Sequence, residues 1–355
     1  MSGRVTEGSL ATTWLAPAVA LLIAAIVGDV LILSFGQAPG DVYRLLIEGT
    51  WGNAYGLGQV LYKATTLTFT GLAVALGLRA GLFNIGAEGQ LAAGGFAAAM
   101  AGLLLPAGAP AILAVPICLI AAAAGGGVVG AVPGALKARF GASEVIVTIM
   151  LNFVVLALLN WIVASKLHVG ESLHTPPINA GAVPRLSEVA PAFHGSAANA
   201  TIILAMVTAA AVGWFLFRTR AGYDLRATGL QPDAAEYGGI SVGREHFRAM
   251  TMAGALAGLG GVNYVLGYKQ YYEEGFAAGA GFLGIAVALV GRNHPAGIPL
   301  AALLFATISQ GGLAVNAIVP KQMVEVLTAV VIIAVAVTVP EVQRLVSSAT
   351  RRVTA

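Results

Sequence analysis

The sequence predicts an all-α, polytopic membrane protein with about ten transmembrane helices. Of its 355 residues, 58% are hydrophobic and only 10% are charged, whereas a soluble domain carries about 25% charged residues. The mean hydropathy is +0.85. Apolar runs approaching the length of a spanning helix recur along the chain. Because a bilayer offers the backbone no hydrogen-bond partners, runs of this length predict spanning helices.

Ten segments come near the roughly 20 apolar residues that a spanning helix needs. They are 14–35, 64–79, 86–105, 111–135, 145–164, 199–217, 249–267, 279–291, 297–316 and 323–340. Two of them, 64–79 and 279–291, are short, and we expect them to be tilted, broken or extended by their flanks. The first run lacks a small-residue cleavage site, so we interpret it as a span rather than a signal peptide. The whole chain, 1–355, is predicted to be one transmembrane domain.

The positions of Lys and Arg indicate the orientation. With the N-terminus in the cytoplasm, thirteen of these residues fall in cytoplasmic loops and six in external loops, as the positive-inside rule requires. We therefore predict a protein of the cytoplasmic membrane with both termini in the cytoplasm. The net charge of +3 follows from these loops and does not indicate nucleic-acid binding.

The most polar stretch is the predicted cytoplasmic loop 218–248, which lies between two apolar spans. Its nine charged residues exclude it from hydrocarbon, where each central charge costs about 3 kcal/mol. The residues from Pro232 to Ile240 predict a short helix that ends at Gly238-Gly239. A helix held between two spans is suited to docking a soluble partner, and an ordinary positive-inside loop is the alternative.

A second polar stretch, 77–95, predicts a broken helix, because four glycines fall between residues 77 and 89. Broken backbone at membrane depth is tolerated where it is buried or lines a wet cavity. Glu88 is an ionisable group at this depth, which by default points to function; pairing with Arg79 or capping a helix N-terminus is the structural alternative. Five polar residues are candidates for a translocation pathway, although interhelical hydrogen bonding explains them equally well. They are Asn84, Glu88, Gln90, Asn152 and Gln310.

Two motifs of catalysis are missing from the sequence. There is no Walker A lysine motif for ATP and no HExxH motif. The five histidines show no metal-ligand spacing, and the single cysteine, Cys118, lies in an apolar run. We therefore predict no catalytic residue, no metal site and no cofactor in this chain.

Two external segments, 36–63 and 165–198, are long. The first contains Trp51, Tyr55 and Tyr62, which suit a helix at the membrane interface, and the second contains four prolines and is expected to be irregular. A second tyrosine cluster at the outer end of the seventh span, 264–272, is interpreted as another interfacial belt. Small residues, among them Gly254-x-x-x-Gly258, predict close helix packing.

Four motifs resemble the permease subunits of bacterial ABC importers in the branched-chain amino acid/ribose permease superfamily. The motifs are GLRAGLFNIGAEGQ (77–90), SEVIVTIMLNFV (143–154), RATGLQPDAAEYGGI (226–240) and NHPAGIPLAALLFA (293–306). The likeness covers about residues 60–340, and the first motif is most typical of the nucleoside branch that works with basic-membrane-protein (BMP) lipoproteins.

The resemblance implies a type II-like importer permease of the bacterial inner membrane. Its implied partners are a second homologous permease, a cytoplasmic ABC ATPase that binds the ATP, and an external solute-binding lipoprotein docking on 36–63 and 165–198. The loop 218–248 becomes the expected coupling helix. The residues implied to face the ATPase are Asp224, Arg226, Ala227, Pro232, Ala235, Glu236 and Tyr237.

Three alternatives to nucleoside import remain open at the level of sequence. The same machine could move a sugar such as ribose or galactose, since recognition resides largely in the binding protein. An autonomous ion-coupled carrier or channel would transport without an ATPase, although such carriers more often bury several carboxylates or histidines. A scaffold protein would have no use for the broken stretch 77–95.

Overall fold

The computed structural model describes residues 22–316, 318–320, 322 and 324–334. Within these residues the backbone forms fourteen α-helices and no extended strand. The helices are α1 (Leu22–Ser34), α2 (Pro39–Thr50), α3 (Ala54–Arg79), α4 (Ala87–Leu104), α5 (Ala111–Phe140), α6 (Glu144–Ile162), α7 (Leu186–Val189), α8 (Thr201–Arg218), α9 (Arg220–Leu230), α10 (Pro232–Tyr237), α11 (Val242–Tyr264), α12 (Ala280–Val290), α13 (Gly297–Val315) and α14 (Val324–Ala334). Both α6 and α11 continue into a π-helical turn, Val163–Leu167 and Val265–Lys269.

The structure is that of a polytopic helical membrane protein, but ten spans are not confirmed. In the described part of the chain, six helices are long and apolar enough to cross a membrane: α3, α5, α6 with its π turn, α8, α11 with its π turn, and α13. A seventh exists if α1 and α2, which meet at 111°, are counted as one span. The predicted span 279–291 is only the 11-residue α12, about half the length a bilayer requires.

The remaining differences in the spans have local causes. Helix α4 has 18 residues, yet its first turn carries Glu88 and Gln90 and it is not among the six. The short predicted span 64–79 is extended as expected, because α3 already begins at Ala54. Residues 54–63 are therefore helix rather than the end of an external loop. The predicted spans 14–35 and 323–340 lie partly outside the described residues.

The chain divides into two compact units, residues 1–53 with 307–355, and residues 54–306. In the first unit, the buried core is made by aliphatic side chains of α1, α2, the end of α13 and the start of α14 with the residues before it. Gly311 lies against the Leu46 side chain. The indole N–H of Trp51 donates a hydrogen bond to Thr307 Oγ1 at 3.2 Å. Trp51 is thus both half-exposed, as an interfacial residue would be, and tied to α13.

The second unit is organised around α11, which packs against α3, α4 and α5. Its contact with α5 is made of backbone. A Cβ atom at Gly126 would lie 2.7 Å from Gly258 Cα, and one at Gly130 would lie 2.9 Å from Gly254 Cα. Glycine faces allow helices this close, and close packing drives helix association in lipid. The prediction that Gly254-x-x-x-Gly258 is a packing face is confirmed.

Candidate functional site

The segment 218–248 folds into two helices, α9 and α10, placed between α8 and α11. Thr219 caps α9, since its Oγ1 accepts a hydrogen bond from the third N–H along at 3.0 Å. Pro232 opens α10, where its fixed φ suits the first turn and its missing N–H has no helical partner to lose. Gly239 follows with φ +86° and ends the helix. The short helix predicted between Pro232 and Ile240 is present, whereas α9 is an element that the sequence did not indicate.

Helix α9 is attached to the turn that follows α3. Leu225 and Thr228 are buried, and Gly229 lies directly on the backbone of that turn: a Cβ atom there would be 2.7 Å from Gly81 N. Gly81 itself has φ +74°, a conformation that glycine adopts without strain. Residues 79–81 and 229 are therefore one rigid contact between the polar segment and the start of the broken stretch.

Two large apolar side chains on α9 and α10 are almost fully exposed. Tyr237 is 97% exposed and Leu230 is 82% exposed. Between the two helices lies an open groove of about 500 Å³. Its lining includes Arg220, Tyr223, Asp224, Ala227, Leu230, Ala235 and Arg244. A second groove of about 530 Å³, between the end of α5 and the start of α11, shares Arg244 and adds Arg139. Exposed aromatic and aliphatic side chains rimmed by arginine are typical of a protein-docking surface.

The residues implied to couple to an ATPase do not all share one environment. Asp224 and Ala227 line the 500 Å³ groove, and Ala235 is buried beneath it. Glu236 and Tyr237 face outward. Arg226 differs: it is half-buried, its guanidinium carbon lies 5.3 Å from the centre of the Phe217 ring, and its Nε has no hydrogen-bond partner among the described residues.

The polar residues of the broken stretch hydrogen-bond to one another. The side-chain amides of Asn84 and Gln90 pair reciprocally, at 2.8 and 3.1 Å, and Asn84 Oδ1 also accepts from the Gly86 N–H. Asn152, from α6, accepts from the Gly89 N–H and donates to the Ile85 carbonyl, both at 2.9 Å. The break between α3 and α4 is thus held in shape by buried amides.

Glu88 caps the N-terminus of another helix. Its carboxylate accepts hydrogen bonds from the Gly279 N–H at 2.8 Å and the Gly281 N–H at 2.7 Å, at the start of α12. The side chain is only 5% exposed. A carboxylate at this position satisfies two amides that lack helical partners and is favoured by the helix dipole. The geometry matches the structural alternative raised for Glu88 and shows no contact with Arg79.

Four of the five predicted pathway residues, Asn84, Glu88, Gln90 and Asn152, therefore meet around residues 84–90. Gln310 lies on α13, in the other compact unit, and is 8% exposed. Its role, like a direct contact between the other four and a solute, stays a prediction.

Replacing Asn152 with leucine is expected to lower thermal stability. The change leaves the buried Gly89 N–H unpaired, at a cost of about 1–3 kcal/mol, and also removes the donor to the half-buried Ile85 carbonyl. Asn160→Leu is the matched control on the same helix, because within the described residues the Asn160 side chain hydrogen-bonds only to the exposed Glu274, at 2.7 Å. Melting curves of the two purified variants in detergent test this, and equal melting temperatures would contradict it.

Sequence reasoning missed a buried network around Asn263. Its amide donates to the Tyr62 carbonyl and Thr66 Oγ1, and its Oδ1 accepts from Asn199 and Thr201 at 2.8–2.9 Å. The only available signal was an asparagine in a span, which does not distinguish a network from a pathway. The network joins α3, α8 and α11.

Not all of the tyrosines in residues 264–272, at and beyond the C-terminal end of α11, form an interfacial belt. Tyr272 is 1% exposed and packs edge-on against Phe96 and Phe276, at 5.3 Å between ring centres in each case. Its N–H donates to Thr175 Oγ1, so residues of the long segment 165–198 close over it. The belt interpretation is wrong for Tyr272 because the chain turns back after α11 and covers that ring.

A polytopic helical bundle with an exposed helical segment between two of its spans has the architecture of a membrane permease. Within the described residues, no group of three His, Cys, Asp or Glu side chains is placed to hold a metal ion. The chain belongs to the family described as branched-chain amino acid transport system/permease component, which matches residues 56–336.

Relatives of known name are similar over nearly their whole length. The nucleoside ABC transporter permease protein NupB of Lactococcus lactis is 36% identical, covering 91% of this chain and 90% of that protein. The guanosine ABC transporter permease protein NupP of Bacillus subtilis is 37% identical, covering 91% and 92%. The glucose ABC transporter permease protein TsgB13 of Haloferax volcanii is 33% identical, covering 90% and 87%.

The same first two organisms contain a second, weaker relative each. These are the permease proteins NupC and NupQ, 27% and 29% identical over 70% and 69% of this chain. No solved structure gives a significant match to the chain.

Proposed function

We propose that this chain is a permease subunit of an ABC importer that moves nucleosides across the bacterial cytoplasmic membrane. The relatives named for nucleoside and guanosine transport support the substrate class. One structural observation carries the mechanism: the exposed α9–α10 surface is continuous with α11, the helix around which the second unit packs. A force applied to that surface would reach α11, and through it the centre of the second unit, across only the four residues 238–241.

The α9–α10 surface is the proposed docking site for a separate cytoplasmic ATPase. Leu230 and Tyr237 supply the exposed apolar anchors, and the grooves on either side of Arg244 supply shape and positive charge. Closure of the ATPase would push α10, and the Gly238-Gly239 turn would transmit the push to α11. The spans then open alternately to each side, as in rigid-body alternating access.

The remaining partners follow from the same proposal. The paired relatives NupB with NupC and NupP with NupQ support a second, homologous permease beside this one. An external solute-binding lipoprotein would deliver the nucleoside to the opposite end, where residues 165–198 and 270–276 pack together. Both chain termini are proposed to lie in the cytoplasm, following the distribution of Lys and Arg.

A sugar is the second candidate substrate, and the 33% identical glucose permease favours it. One assay distinguishes a nucleoside substrate from a sugar substrate. The complex is reconstituted with its own binding protein, and ATPase stimulation is compared between guanosine, adenosine, ribose and glucose. Stimulation by nucleosides alone supports the proposal, whereas stimulation by a free sugar alone would replace the substrate and leave the permease assignment intact.

The docking surface is tested by Leu230→Ala with Leu104→Ala as its matched control. Both leucines end a helix, and they are 82% and 86% exposed. Leu104 lies at the end of α4 away from the α9 contact, about 27 Å along the helix axis from its start. Losing an interface anchor typically costs 1 kcal/mol or more, so Leu230→Ala with Tyr237→Ala should weaken ATPase capture about tenfold or more.

The readouts are co-purification of the ATPase and solute-stimulated ATP hydrolysis in proteoliposomes. We expect the Leu104 variant to match wild type in both.

Charge reversal at Asp224 or Arg226, or proline at Ala235, should uncouple transport while leaving membrane insertion intact; proline removes the bond from the Ala235 N–H to the Gln231 carbonyl. Normal transport by these variants in the full complex would overturn the coupling assignment. Transport by the purified chain without any ATPase would favour an autonomous carrier.

A further inference from the structure

An apolar groove runs along α8 beside the start of α13. It has a volume of about 310 Å³ and is lined by Met206, Ala210 and Gly213 of α8 and by His294, Pro295 and Pro299. The α8 residues are spaced by four and three positions, so they lie on one face of the helix. Phe217, four residues further along, continues the same face. Phe217 does not line the groove itself, but it follows the groove on the same face of α8.

Phe217 is the centre of a basic cluster. The guanidinium carbons of Arg79 and Arg226 lie 5.6 and 5.3 Å from the centre of its ring. The ring of His294, which also lines the groove, stacks on Phe217 with centres 5.4 Å apart. The Phe217 ring thus makes cation–π contacts with two arginines beside one end of the apolar groove.

No described carboxylate forms an ion pair with either arginine. Arg79 donates from Nε to the Asn293 carbonyl at 3.0 Å, and Arg226 Nε is buried without a hydrogen-bond partner in the described chain. Arginine presents a fork of donors that matches the oxygens of a phosphate. Two such groups without an internal counter-ion favour an anionic ligand.

We propose that this groove and basic cluster bind one anionic phospholipid of the adjacent leaflet. The phosphate would lie at Arg79 and Arg226, and one acyl chain would follow α8 past Gly213 and Ala210. The apolar groove favours a lipid over free phosphate, because phosphate has nothing to place there. Basic pockets between membrane helices are known to bind lipid headgroups. The cluster joins the end of α8 to α9, so the lipid would brace the base of the docking segment.

The experiment is native mass spectrometry of the full chain in detergent, titrated with phosphatidylglycerol and, separately, with phosphatidylcholine of the same acyl chains. We expect phosphatidylglycerol to bind more tightly. Arg79→Gln should lower its affinity about fivefold, the effect of one arginine near a lipid headgroup, and bring it close to that of phosphatidylcholine.

Two neighbouring alanines provide the matched pair for the groove. Ala210 lines it and Ala211 does not, and both are exposed on α8. Ala210→Leu should weaken phosphatidylglycerol binding about tenfold by excluding part of the acyl chain, while Ala211→Leu leaves it unchanged. This comparison stands even if Arg79→Gln fails to fold.

Three results would overturn the proposal. Equal binding of the two lipids would show that headgroup charge does not determine binding. Equal effects of the two leucine variants would show that the lipid does not occupy the groove. Competition by millimolar inorganic phosphate would indicate a simple anion site. The titration is repeated on the complex with the second permease, where loss of lipid together with crosslinking at position 210 would assign the groove to the subunit interface instead.

Discussion

Replacing Glu88 with alanine should cost this protein at least about 1–3 kcal/mol of stability, because it leaves the buried Gly281 N–H without an acceptor. A side chain at Gly281 would already collide with the backbone of Glu88, so water has no room to replace the carboxylate there. The half-buried Gly279 N–H also loses its acceptor, and we expect this loss to cost less because open space lies beside Gly279. The loss also removes a negative charge from the start of α12, a favourable position for it.

Glu88→Gln separates the hydrogen bonds from the charge. Glutamine has nearly the same shape and retains one acceptor oxygen, but its amide group faces the second N–H with donors. We expect a melting temperature between those of the wild type and the alanine variant, measured by fluorescence-detected size-exclusion chromatography after heating. Surviving protein should keep the order of preference among nucleosides. A well-folded alanine variant with a changed preference would instead place Glu88 in contact with the solute.

Gly126→Ala should be strongly destabilising, whereas Gly127→Ala should be neutral or slightly stabilising. A Cβ atom at Gly126 meets the Gly258 backbone at 2.7 Å, while one at Gly127 lies 3.6 Å from Ala255 Cβ, an ordinary contact. Overpacking costs about 1–3 kcal/mol, and more where the neighbour is backbone. Alanine in place of an interior helix glycine otherwise gains about 0.5–1 kcal/mol.

The two glycines are adjacent on α5, so expression, propensity and depth in the bilayer are closely matched. Melting curves in one detergent give the comparison. If both variants melt alike, the backbone contact between α5 and α11 does not determine the stability of this unit. Gly254→Ala extends the test from the other helix, where a Cβ atom would lie 2.9 Å from Gly130 Cα.

Local sequence signals predicted those features that depend on one or two residues. Pro232 and Gly238-Gly239 delimit α10 because proline fixes φ for the first turn and glycine readily adopts the positive φ that ends the helix. The predicted break lies at residues 80–86, which include Gly81 and Gly86, whereas Gly77 and Gly89 lie within α3 and α4. The capping alternative for Glu88 was available from the charge alone, although its partner, 191 residues away at Gly279, was not.

Features that depend on distant contacts were not predictable in this way. Helix α9 carries Gly222 and Gly229, which lower helix propensity, and it is fixed by packing on residues 79–81. Tyr272 has the hydropathy of an interfacial residue, yet the returning chain buries it. The count of ten spans is not confirmed in the described residues, in part because apolar composition there continues without sufficient helix length, as in α12.

The uninterrupted course of α11 has a mechanical consequence. Its 23 residues form a rod about 35 Å long, beginning beside the Gly238-Gly239 turn and ending at Tyr264. A rocking of about 10° around its midpoint displaces each end by about 3 Å on that length. That exceeds the diameter of a water molecule, about 2.8 Å. A gate at the C-terminal end of α11 could therefore open to water while the helix contacts near the midpoint, at Gly254 and Gly258, stay in place.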